Sequence, residues 1–129
     1  MSDTAFVLDA SALLAAIFDE RGGGRVIEII GQSVISTVNL SETVARLQDK
    51  GLTDTNADEI LTSLTVAAIP FDEALAIAAG RLRSATRSGG LSFGDRACLA
   101  LGLRLGATVL TADRAWGDLD LGVQIELIR

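Results

Sequence analysis

The stretch "LSFGDRACLALGLRLGATVLTADRAW", from Leu91 to Trp116, contains the pattern that decides the fold. A helix is predicted over residues 94–106, where Gly106 stops it, and a buried strand follows over residues 107–111. Asp95 stands at the start of this helix, and Asp113 comes just after the strand. A helix followed by a short buried strand is typical of a parallel α/β sheet, so both aspartates are expected near one edge of that sheet.

The rest of the chain continues the same alternation. Strands are also predicted over residues 5–8, 33–37, 66–71 and 123–128, and helices over residues 11–18, 25–30, 41–50, 55–66 and 72–88. Pro70 suggests an edge position for the third strand, and Asp72 is expected to cap a continuous helix that Gly89 and Gly90 end. With no linker and no internal repeat, the pattern predicts one domain over residues 1–129. Its expected fold is a three-layer α/β/α sandwich with a mostly parallel sheet of about five strands.

Composition narrows the chemistry that the chain can perform. The 129 residues are 49% hydrophobic, which is enough for an ordered core, and the single cysteine, Cys98, excludes an internal disulfide. No secretory signal or membrane-length apolar run is visible, which makes the cytoplasm the expected compartment. Histidine is absent, so a Ser-His-Asp triad and the usual zinc sites are excluded. Catalysis would have to use carboxylates, hydroxyls, Lys or Arg, or a hard metal ion.

The charge of the chain is uneven. Residues 1–64 carry ten acidic and four basic residues, whereas residues 65–129 carry seven of each, giving the net charge of −6. An acidic chain of this kind is a poor nonspecific binder of nucleic acid. Binding of RNA would still be possible if the local cluster of Arg81, Arg83 and Arg87 lay beside an acidic pocket that held a metal ion.

Four acidic residues recur in one context, near the carboxyl end of a strand or the start of a helix. Asp9 ends the first strand, Glu42 follows the second, Asp95 starts the helix after the glycine turn, and Asp113 follows the fourth strand. In a parallel sheet the carboxyl ends of the strands share one edge, where such folds bind ligands. We therefore expect the four carboxylates to converge there.

Each acid taken alone also has a structural explanation. Asn39-x-x-Glu42 and Ser92-x-x-Asp95 both fit a capping box, and Asp9 and Asp113 suit the N-cap of a following helix. Four carboxylates on one edge are costly, however, unless a cation or a shared proton neutralises them. A site made only of oxygen ligands points to Mg²⁺ or Mn²⁺, which are the usual cofactors of phosphodiester hydrolysis.

The sequence resembles a known family through four segments in order. They are "VLDASALLA" (7–15), "NLSETVARL" (39–47), "LSFGDRACLALGLRLG" (91–106) and "TADRAW" (111–116). Together they resemble the PIN-domain ribonucleases and, more narrowly, the VapC toxins of bacterial toxin–antitoxin pairs. The resemblance implies a parallel five-stranded sheet, a homodimer, and a VapB-like antitoxin that blocks the acidic pocket. It further implies an endoribonuclease in which Asp9, Glu42, Asp95 and Asp113 bind Mg²⁺ or Mn²⁺ and activate water to cleave RNA.

Further positions follow from the same resemblance. Ser11 and Thr111 match small hydroxyl residues that support the carboxylates or hold water, and Asn39 has either that role or the capping role. Basic residues are often placed around the pocket of such proteins, and the candidates for contact with RNA are Arg87, Arg96 and Arg114. Each of these arginines also suits a solvated helix face.

Four other residues near the acids have two interpretations. Phe93 and Trp116 could stack on a base, although core packing or helix anchoring is favoured for both. Cys98, three positions after Asp95, is expected to be a small core residue. Asp118 is either a fifth acid of the site or part of a surface turn.

Two other functions compete with the nuclease. An aspartate-based phosphatase or phosphoacceptor is disfavoured because "DAS" (9–11) lacks a second aspartate and the single lysine, Lys50, closes a helix instead of following a strand. A non-catalytic α/β module that binds another protein, with acids that only cap helices, remains open.

Overall fold

The computed structural model describes residues 4–129 and contains a five-stranded sheet. The strands are β1 (Phe6–Leu8), β2 (Ser33–Ser36), β3 (Ala67–Ile69), β4 (Thr108–Thr111) and β5 (Ile125–Leu127). The helices are α1 (Ala10–Ile17), α2 (Gly23–Ile29), α3 (Thr37–Asp49), α4 (Asp54–Leu64), α5 (Glu73–Arg81), α6 (Arg83–Thr86) and α7 (Phe93–Leu105). Short 3₁₀ segments occupy Ile30–Gln32, Arg87–Gly89 and Arg114–Asp118. The predicted domain begins at residue 1, and residues 1–3 lie outside the described residues.

All strand pairs of the sheet are parallel, and the strand order is β3-β2-β1-β4-β5. The predicted parallel five-stranded α/β fold is therefore confirmed, including the edge position of β3. The strand order reverses direction at β1, because β2 pairs on one side of it and β4 on the other. In open α/β sheets this reversal opens a crevice at the carboxyl ends of the two central strands.

Two hydrophobic cores lie on opposite faces of the sheet, because successive side chains of a strand point in opposite directions. On one face, Val7, Val34 and Val109 pack with residues of α5 and α7. On the other face, Leu8, Ile35 and Leu110 pack with residues of α1 and α2. Helices thus cover both faces, as expected for three layers. Cys98 is fully buried in the first core, which confirms its prediction as a core residue.

Helix α3 begins at Thr37, four residues before the predicted start. The hydroxyl of Ser36 accepts a hydrogen bond from the backbone N–H of Val38 at 3.2 Å and serves as the N-cap. The β-branched residues before Asn39 had suggested a strand through residue 37. The predicted capping box of Asn39 and Glu42 is therefore wrong, because both residues lie inside the helix.

The helix predicted over residues 72–88 is also interrupted. Asp72 caps α5 as expected, but α5 ends at Arg81, and α6 and a 3₁₀ turn follow. The backbone N–H of Leu82 bonds to the carbonyl of Ala79, three residues back, as in a 3₁₀ helix. The Leu82 carbonyl accepts both the backbone N–H of Thr86 at 3.1 Å and the Thr86 hydroxyl at 2.8 Å, and a hydroxyl bonded back in this way often bends a helix.

Across residues 4–129, every helix is too short or too polar to cross a lipid bilayer.

Candidate metal centre

One cavity of about 480 Å³ brings all four predicted acids together. Asp9, Glu42, Asp95 and Asp113 line it, along with Ser11, Asn39 and Arg46. Asp9 directly follows β1, and Asp113 comes two residues after β4. The cavity therefore opens at the reversal point of the strand order, which is where ligands bind in folds of this type.

Asp9 is the most constrained of the four acids and is only 5% exposed. Its Oδ1 accepts hydrogen bonds from the Ser11 hydroxyl at 2.7 Å and from the backbone N–H of Ala12 at 2.8 Å. Its Oδ2 accepts the Thr111 hydroxyl at 2.5 Å. Burial and, to a smaller extent, the negative charge of Asp95 raise the pKa of Asp9 to about 6, against the opposing effect of these hydrogen bonds. An ionised Asp9 is therefore costly in the absence of a cation.

Ser11 and Thr111 connect Asp9 to the end of β4. The Ser11 hydroxyl accepts the backbone N–H of Ala112 at 2.9 Å, and the Thr111 hydroxyl accepts the backbone N–H of Asp113 at 3.0 Å. Each hydroxyl donates to Asp9 and accepts from the loop that carries Asp113. The two hydroxyls thus fix the relative position of two of the four acids.

Valine in place of Thr111 is expected to destabilise the protein by about 1–3 kcal/mol, because a buried carboxylate loses a donor. The same loss raises the pKa of Asp9 beyond 6, since the Thr111 hydrogen bond lowers it. The destabilisation should therefore be larger at pH 8, where Asp9 is ionised, than at pH 4. Urea unfolding at the two pH values measures the difference.

Thr86→Val is the matched control for this measurement. Thr86 is equally buried, but its hydroxyl donates to a backbone carbonyl instead of a carboxylate. The Thr86→Val substitution should therefore lower the free energy of unfolding by the same amount at both pH values. Equal pH dependence for the two variants would contradict the assigned role of Thr111.

Asp95 and Asp113 both cap helices, as the structural explanation predicted. Asp95 Oδ2 accepts the backbone N–H of Ser92 at 2.9 Å, and the Ser92 hydroxyl accepts the N–H of Asp95 at 3.2 Å, which completes a capping box. Asp113 Oδ1 accepts the N–H of Ala115 at 3.0 Å at the start of a 3₁₀ turn. Capping uses one oxygen of each carboxylate. Within residues 4–129 the other oxygen of each has no protein donor, so capping and metal binding are compatible.

Glu42 depends on close packing between α3 and α7. The Asn39 amide donates to Glu42 Oε1 at 2.8 Å and to the carbonyl of Gly94 at 3.0 Å. A Cβ added to Gly94 would stand 2.6 Å from the carboxyl carbon of Glu42 and 2.7 Å from its Oε1, inside van der Waals contact. Glycine at position 94 is thus what lets the carboxylate rest against the start of α7.

Asn39 therefore positions Glu42, although the sequence left its role open. The side-chain nitrogen of Asn39 donates to two acceptors, Glu42 and the Gly94 carbonyl, and these two hydrogen bonds fix the orientation of the side-chain amide. The amide oxygen, Oδ1, is the remaining polar atom of this side chain. Asn39 is 1% exposed, and its Oδ1 has no hydrogen-bond partner among the described residues. A buried carbonyl oxygen of this kind suits a water molecule or a hard cation.

The donor set fits a hard divalent cation, although the carboxylates are not closed around one point. Burial raises the pKa of the Cys98 thiol well above its usual range, and the negative charges of Asp9, Asp95 and Glu42 add to the effect. No three acidic groups among residues 4–129 lie close enough together to enclose a metal ion. Glu42 and Asp113 are exposed. Closure around a cation would thus require side-chain adjustment, and Asp9 is the carboxylate that its hydrogen bonds hold in place.

The three arginines expected to contact RNA do not line this cavity. Arg87 lies in the 3₁₀ turn after α6, and Arg114 starts the turn after Asp113. Arg96 donates to the carbonyl of Ala79 at 3.2 Å and so bonds to α5. The arginine that does line the cavity is Arg46, which the sequence analysis missed. Its only sequence signal was its position one helical turn beyond Glu42 on α3.

The aromatic residues and Asp118 also take positions outside the cavity. Trp116 is fully buried in the core that contains α7, as favoured. Phe93 is about half exposed and therefore does not pack in the core. It is the first residue of α7, and its ring contacts that of Phe71 edge-on at 5.5 Å, in agreement with the alternative of helix anchoring. Asp118 is exposed at the end of its 3₁₀ turn and does not line the acidic cavity.

Comparison with known proteins gives a family and a set of structural relatives. The family described as PIN domain matches residues 6–121 of the chain. No curated protein sequence is similar enough to count as a match.

Among solved structures, the chain is similar to one in the DNA-bound VapBC crystal structure from Salmonella typhimurium, with a TM-score of 0.78 and 19% identity over 98% of this chain and 99% of that one. A chain of VapBC2 from Rickettsia felis, bound to a promoter DNA fragment, gives a TM-score of 0.76 and 16% identity over 96% of this chain and 98% of that one. A chain of VapBC-5 from Mycobacterium tuberculosis, a member of the VapBC family of toxin–antitoxin systems, gives a TM-score of 0.62 and 24% identity over 98% of each chain. At these identities the likeness shows the fold.

Proposed function

Because the chain belongs to the PIN-domain family, we propose that it is a Mg²⁺- or Mn²⁺-dependent endoribonuclease and the toxin of a toxin–antitoxin pair. PIN domains are generally nucleases that depend on divalent metals. The proposed nuclease domain comprises residues 1–129, and its RNA substrate would place its action in the cytoplasm.

The observation that carries the proposal is the convergence of four carboxylates on one cavity. They come from widely separated parts of the chain, and one of them, Asp9, is buried at a cost that raises its pKa to about 6. Helix capping accounts for one oxygen of Asp95 and one of Asp113, and for one of Asp9. It does not account for Glu42, which is inside α3 and is held against Gly94. A cation would offset the repulsion among all four.

In this proposal Asp9, Glu42, Asp95 and Asp113 hold the metal. A bound divalent cation would lower the pKa of a water molecule and stabilise the leaving oxygen during hydrolysis of the phosphodiester bond. Asp9, fixed by Ser11 and Thr111, supplies an oxygen in a constant position. Asn39 orients Glu42, and the capping bonds orient Asp95 and Asp113. The chain contains no histidine, so proton transfer would use these carboxylates and water.

The toxin assignment draws on the structural relatives, which are toxin–antitoxin complexes. By analogy, the partner of this chain would be a VapB-like antitoxin, and the chain itself would form a homodimer. These relatives share 24% identity or less with the chain, so the analogy rests on the fold and on the acidic cavity together.

We expect the purified, partner-free protein to bind Mn²⁺ with one or two ions per chain, and to cleave RNA only when Mg²⁺ or Mn²⁺ is present. Asp95→Asn should lose metal binding and cleavage while keeping its helix cap, because an asparagine oxygen can still accept the Ser92 N–H. Calorimetric titration and gel analysis of RNA measure these effects, with Ser92→Ala as the variant that removes a capping group but no acid. Failure of the wild-type protein to cleave RNA with either metal would sink the nuclease proposal and favour a protein-binding module.

A further inference from the structure

A second concave surface adjoins the acidic cavity and has the opposite charge. This basic groove, of about 200 Å³, shares Ser11, Leu14 and Arg46 with the acidic cavity. Phe18, Glu20, Lys50 and Arg129 complete its walls. The two surfaces therefore form one continuous depression, in which four acids are followed by three basic residues and one acid.

The charge of this groove is unusual for the chain. The protein carries a net charge of −6, and its first 64 residues contain only four basic residues, two of which are Arg46 and Lys50. Lys50 is the single lysine of the whole sequence. Arg46 and Lys50 are four residues apart near the end of α3, so they lie on the same side of that helix. The groove is thus a local positive surface on an acidic protein.

The cationic groups of the groove are only weakly neutralised. Arg46 has a side chain that is 62% exposed, and its one ion-pair partner among residues 4–129, Asp49, is 3.9 Å away. The Lys50 ammonium lies 5.8 Å from the centre of the Phe18 ring, and no carboxylate within residues 4–129 forms a salt bridge with it. Arg129 donates to the carbonyl of Arg21 at 2.9 Å and approaches Glu20 at 3.4 Å. By contrast, Arg25 and Arg104 each make two hydrogen bonds to one carboxylate. Arg46 and Lys50 therefore retain free donors.

We propose that the basic groove binds a backbone phosphate of the RNA strand next to the phosphate that is cleaved. This inference rests on the proposed function, since the cleaved phosphate would occupy the acidic cavity with its metal. A single strand that leaves the cavity along the shared wall of Ser11, Leu14 and Arg46 enters the groove that Lys50 also lines. Guanidinium and ammonium groups bind phosphate oxygens through charge-assisted hydrogen bonds. The ring of Phe18 and the side chain of Leu14 offer apolar contact to the adjoining nucleotide.

The position of the groove favours RNA over an acidic peptide as its occupant. The groove continues directly from the acidic cavity, where the proposed function places the cleaved phosphate and its metal, so one occupant has to span both surfaces. A nucleic acid strand matches both parts, because a metal in the cavity and the cations in the groove each bind one phosphate. Binding in the groove would thus set the direction and register of the strand across the site.

The test is the double variant Arg46→Gln/Lys50→Gln, assayed with a fluorescein-labelled 12-nucleotide single-stranded RNA. Binding is followed by anisotropy in Ca²⁺, and cleavage is followed in Mn²⁺. Loss of this one phosphate contact should reduce the salt slope of log K by about 0.7, which corresponds to roughly fivefold weaker binding at 0.1 M salt. KM should rise accordingly, with kcat within about twofold of the wild-type value, because neither side chain holds the metal.

The matched control is Arg81→Gln/Arg83→Gln, which changes the net charge by the same amount at exposed positions outside both surfaces. It should bind and cleave the RNA as the wild-type protein does. Equal losses in the two double variants would overturn the proposal, because the effect would then come from net charge alone.

A change in the RNA tests the same contact without altering the protein. A series of 12-nucleotide RNAs, each with a single neutral methylphosphonate, should contain one position beside the cleavage site that weakens wild-type binding. That position should not weaken binding to the Arg46→Gln/Lys50→Gln variant any further. If the binding free energy lost in the protein variant and that lost with the methylphosphonate RNA add fully, the groove does not bind that phosphate and the proposal fails.

The outcomes separate this proposal from the proposed nuclease function. If the wild-type protein binds RNA through the groove but does not cleave it in Mn²⁺, the groove proposal stands and the nuclease proposal fails. If RNA is cleaved and KM is unchanged in the groove variant, only the groove proposal fails. Unchanged RNA binding together with lost binding of polyglutamate would assign the groove to an acidic peptide and overturn the proposal.

Discussion

Replacement of Asp9 by asparagine is expected to abolish RNA cleavage and, at the same time, to stabilise the metal-free protein at pH 8. Asp9 is the most buried of the four acids, and burial raises its pKa from 3.8 to about 6. A raised pKa means that the folded state prefers the protonated carboxyl group. The stability gained from this group is fully present below pH 3.8 and is lost as the pH rises through 6.

The expected size of the effect follows from the shift. Above pH 6 the ionised Asp9 costs on the order of 3 kcal/mol relative to its protonated form. Asparagine carries no charge, can still accept the N–H of Ala12 and the Ser11 hydroxyl through its oxygen, and can donate to Thr111. The variant should therefore have a higher free energy of unfolding than the wild type at pH 8, and little difference at pH 4. Urea unfolding in EDTA at both pH values measures this.

Asp72→Asn is a matched control, for which the expected change in the free energy of unfolding at pH 8 has the opposite sign. Asp72 is also an N-cap, but its carboxylate pairs with Arg104 at 2.9 Å, and that pairing holds its pKa below the usual value. The stability from this carboxylate is present at neutral pH and is lost as the pH falls through its lowered pKa, so Asp72→Asn should destabilise the protein at pH 8 and progressively less as the pH falls below 3.8. If Asp9→Asn destabilised the protein at pH 8 as Asp72→Asn does, the burial cost assigned to Asp9 would be incorrect.

Alanine at position 94 is expected to reduce RNA cleavage by about 10²- to 10³-fold. The added methyl group would overlap the Glu42 carboxylate, so Glu42 must turn away from the start of α7. Displacement of a catalytic group by about 1 Å can cost about 10²-fold in rate. Asn39 would lose one of its two acceptors in the same movement, since it binds both Glu42 and Gly94. Single-turnover cleavage assays and Mn²⁺ titration measure the loss.

Gly80→Ala is the control for this substitution. Gly80 lies in α5, is exposed, and has no atom near the position that a Cβ would take. Alanine there should raise the free energy of unfolding by up to about 1 kcal/mol, because alanine favours the helix, and cleavage should be unchanged. Full activity in Gly94→Ala would show that the position of Glu42 at α7 does not matter for the reaction.

Sequence patterns were sufficient for the sheet and for the four acids. Valine and leucine side chains that alternate between two cores, as Val7 and Leu8 do, identify central strands buried on both faces. Asp9 and Asp113 could be placed together because parallel strands bring their carboxyl ends to one edge. This reasoning needs only the order of the elements, which the turn and helix signals provide.

The start of α3 and the role of Asn39 could not be predicted in the same way. Ser36 and Thr37 are good residues both for the end of a strand and for the start of a helix, and the local sequence does not choose between them. The hydrogen bond from Asn39 to Gly94 joins residues that are 55 positions apart. Such a contact depends on how α3 and α7 pack, which no local pattern contains.

The arginines illustrate the same limit. Arg87, Arg96 and Arg114 are near the acids in sequence, but they lie outside the cavity, and Arg96 bonds to α5. Arg46, Lys50 and Arg129 share the basic groove, although Arg129 is far from the other two in the chain. A long, flexible side chain is placed by its tertiary neighbours, so proximity in sequence is a weak guide to its role.

The hydrogen bond between Asp9 and Thr111 joins two residues that are 102 positions apart, and this separation bears on when the site is completed during synthesis of the chain. While the ribosome synthesises the chain, Asp9 emerges early, and the residues that fix it and the acids that accompany it emerge late. A nascent chain that has not passed Asp113 lacks the complete cavity, however well its first strands have folded. The same holds for any fragment that a protease cuts between β2 and β4. The proposed cleavage activity would therefore appear only near the end of synthesis, once β4 and Asp113 have joined Asp9.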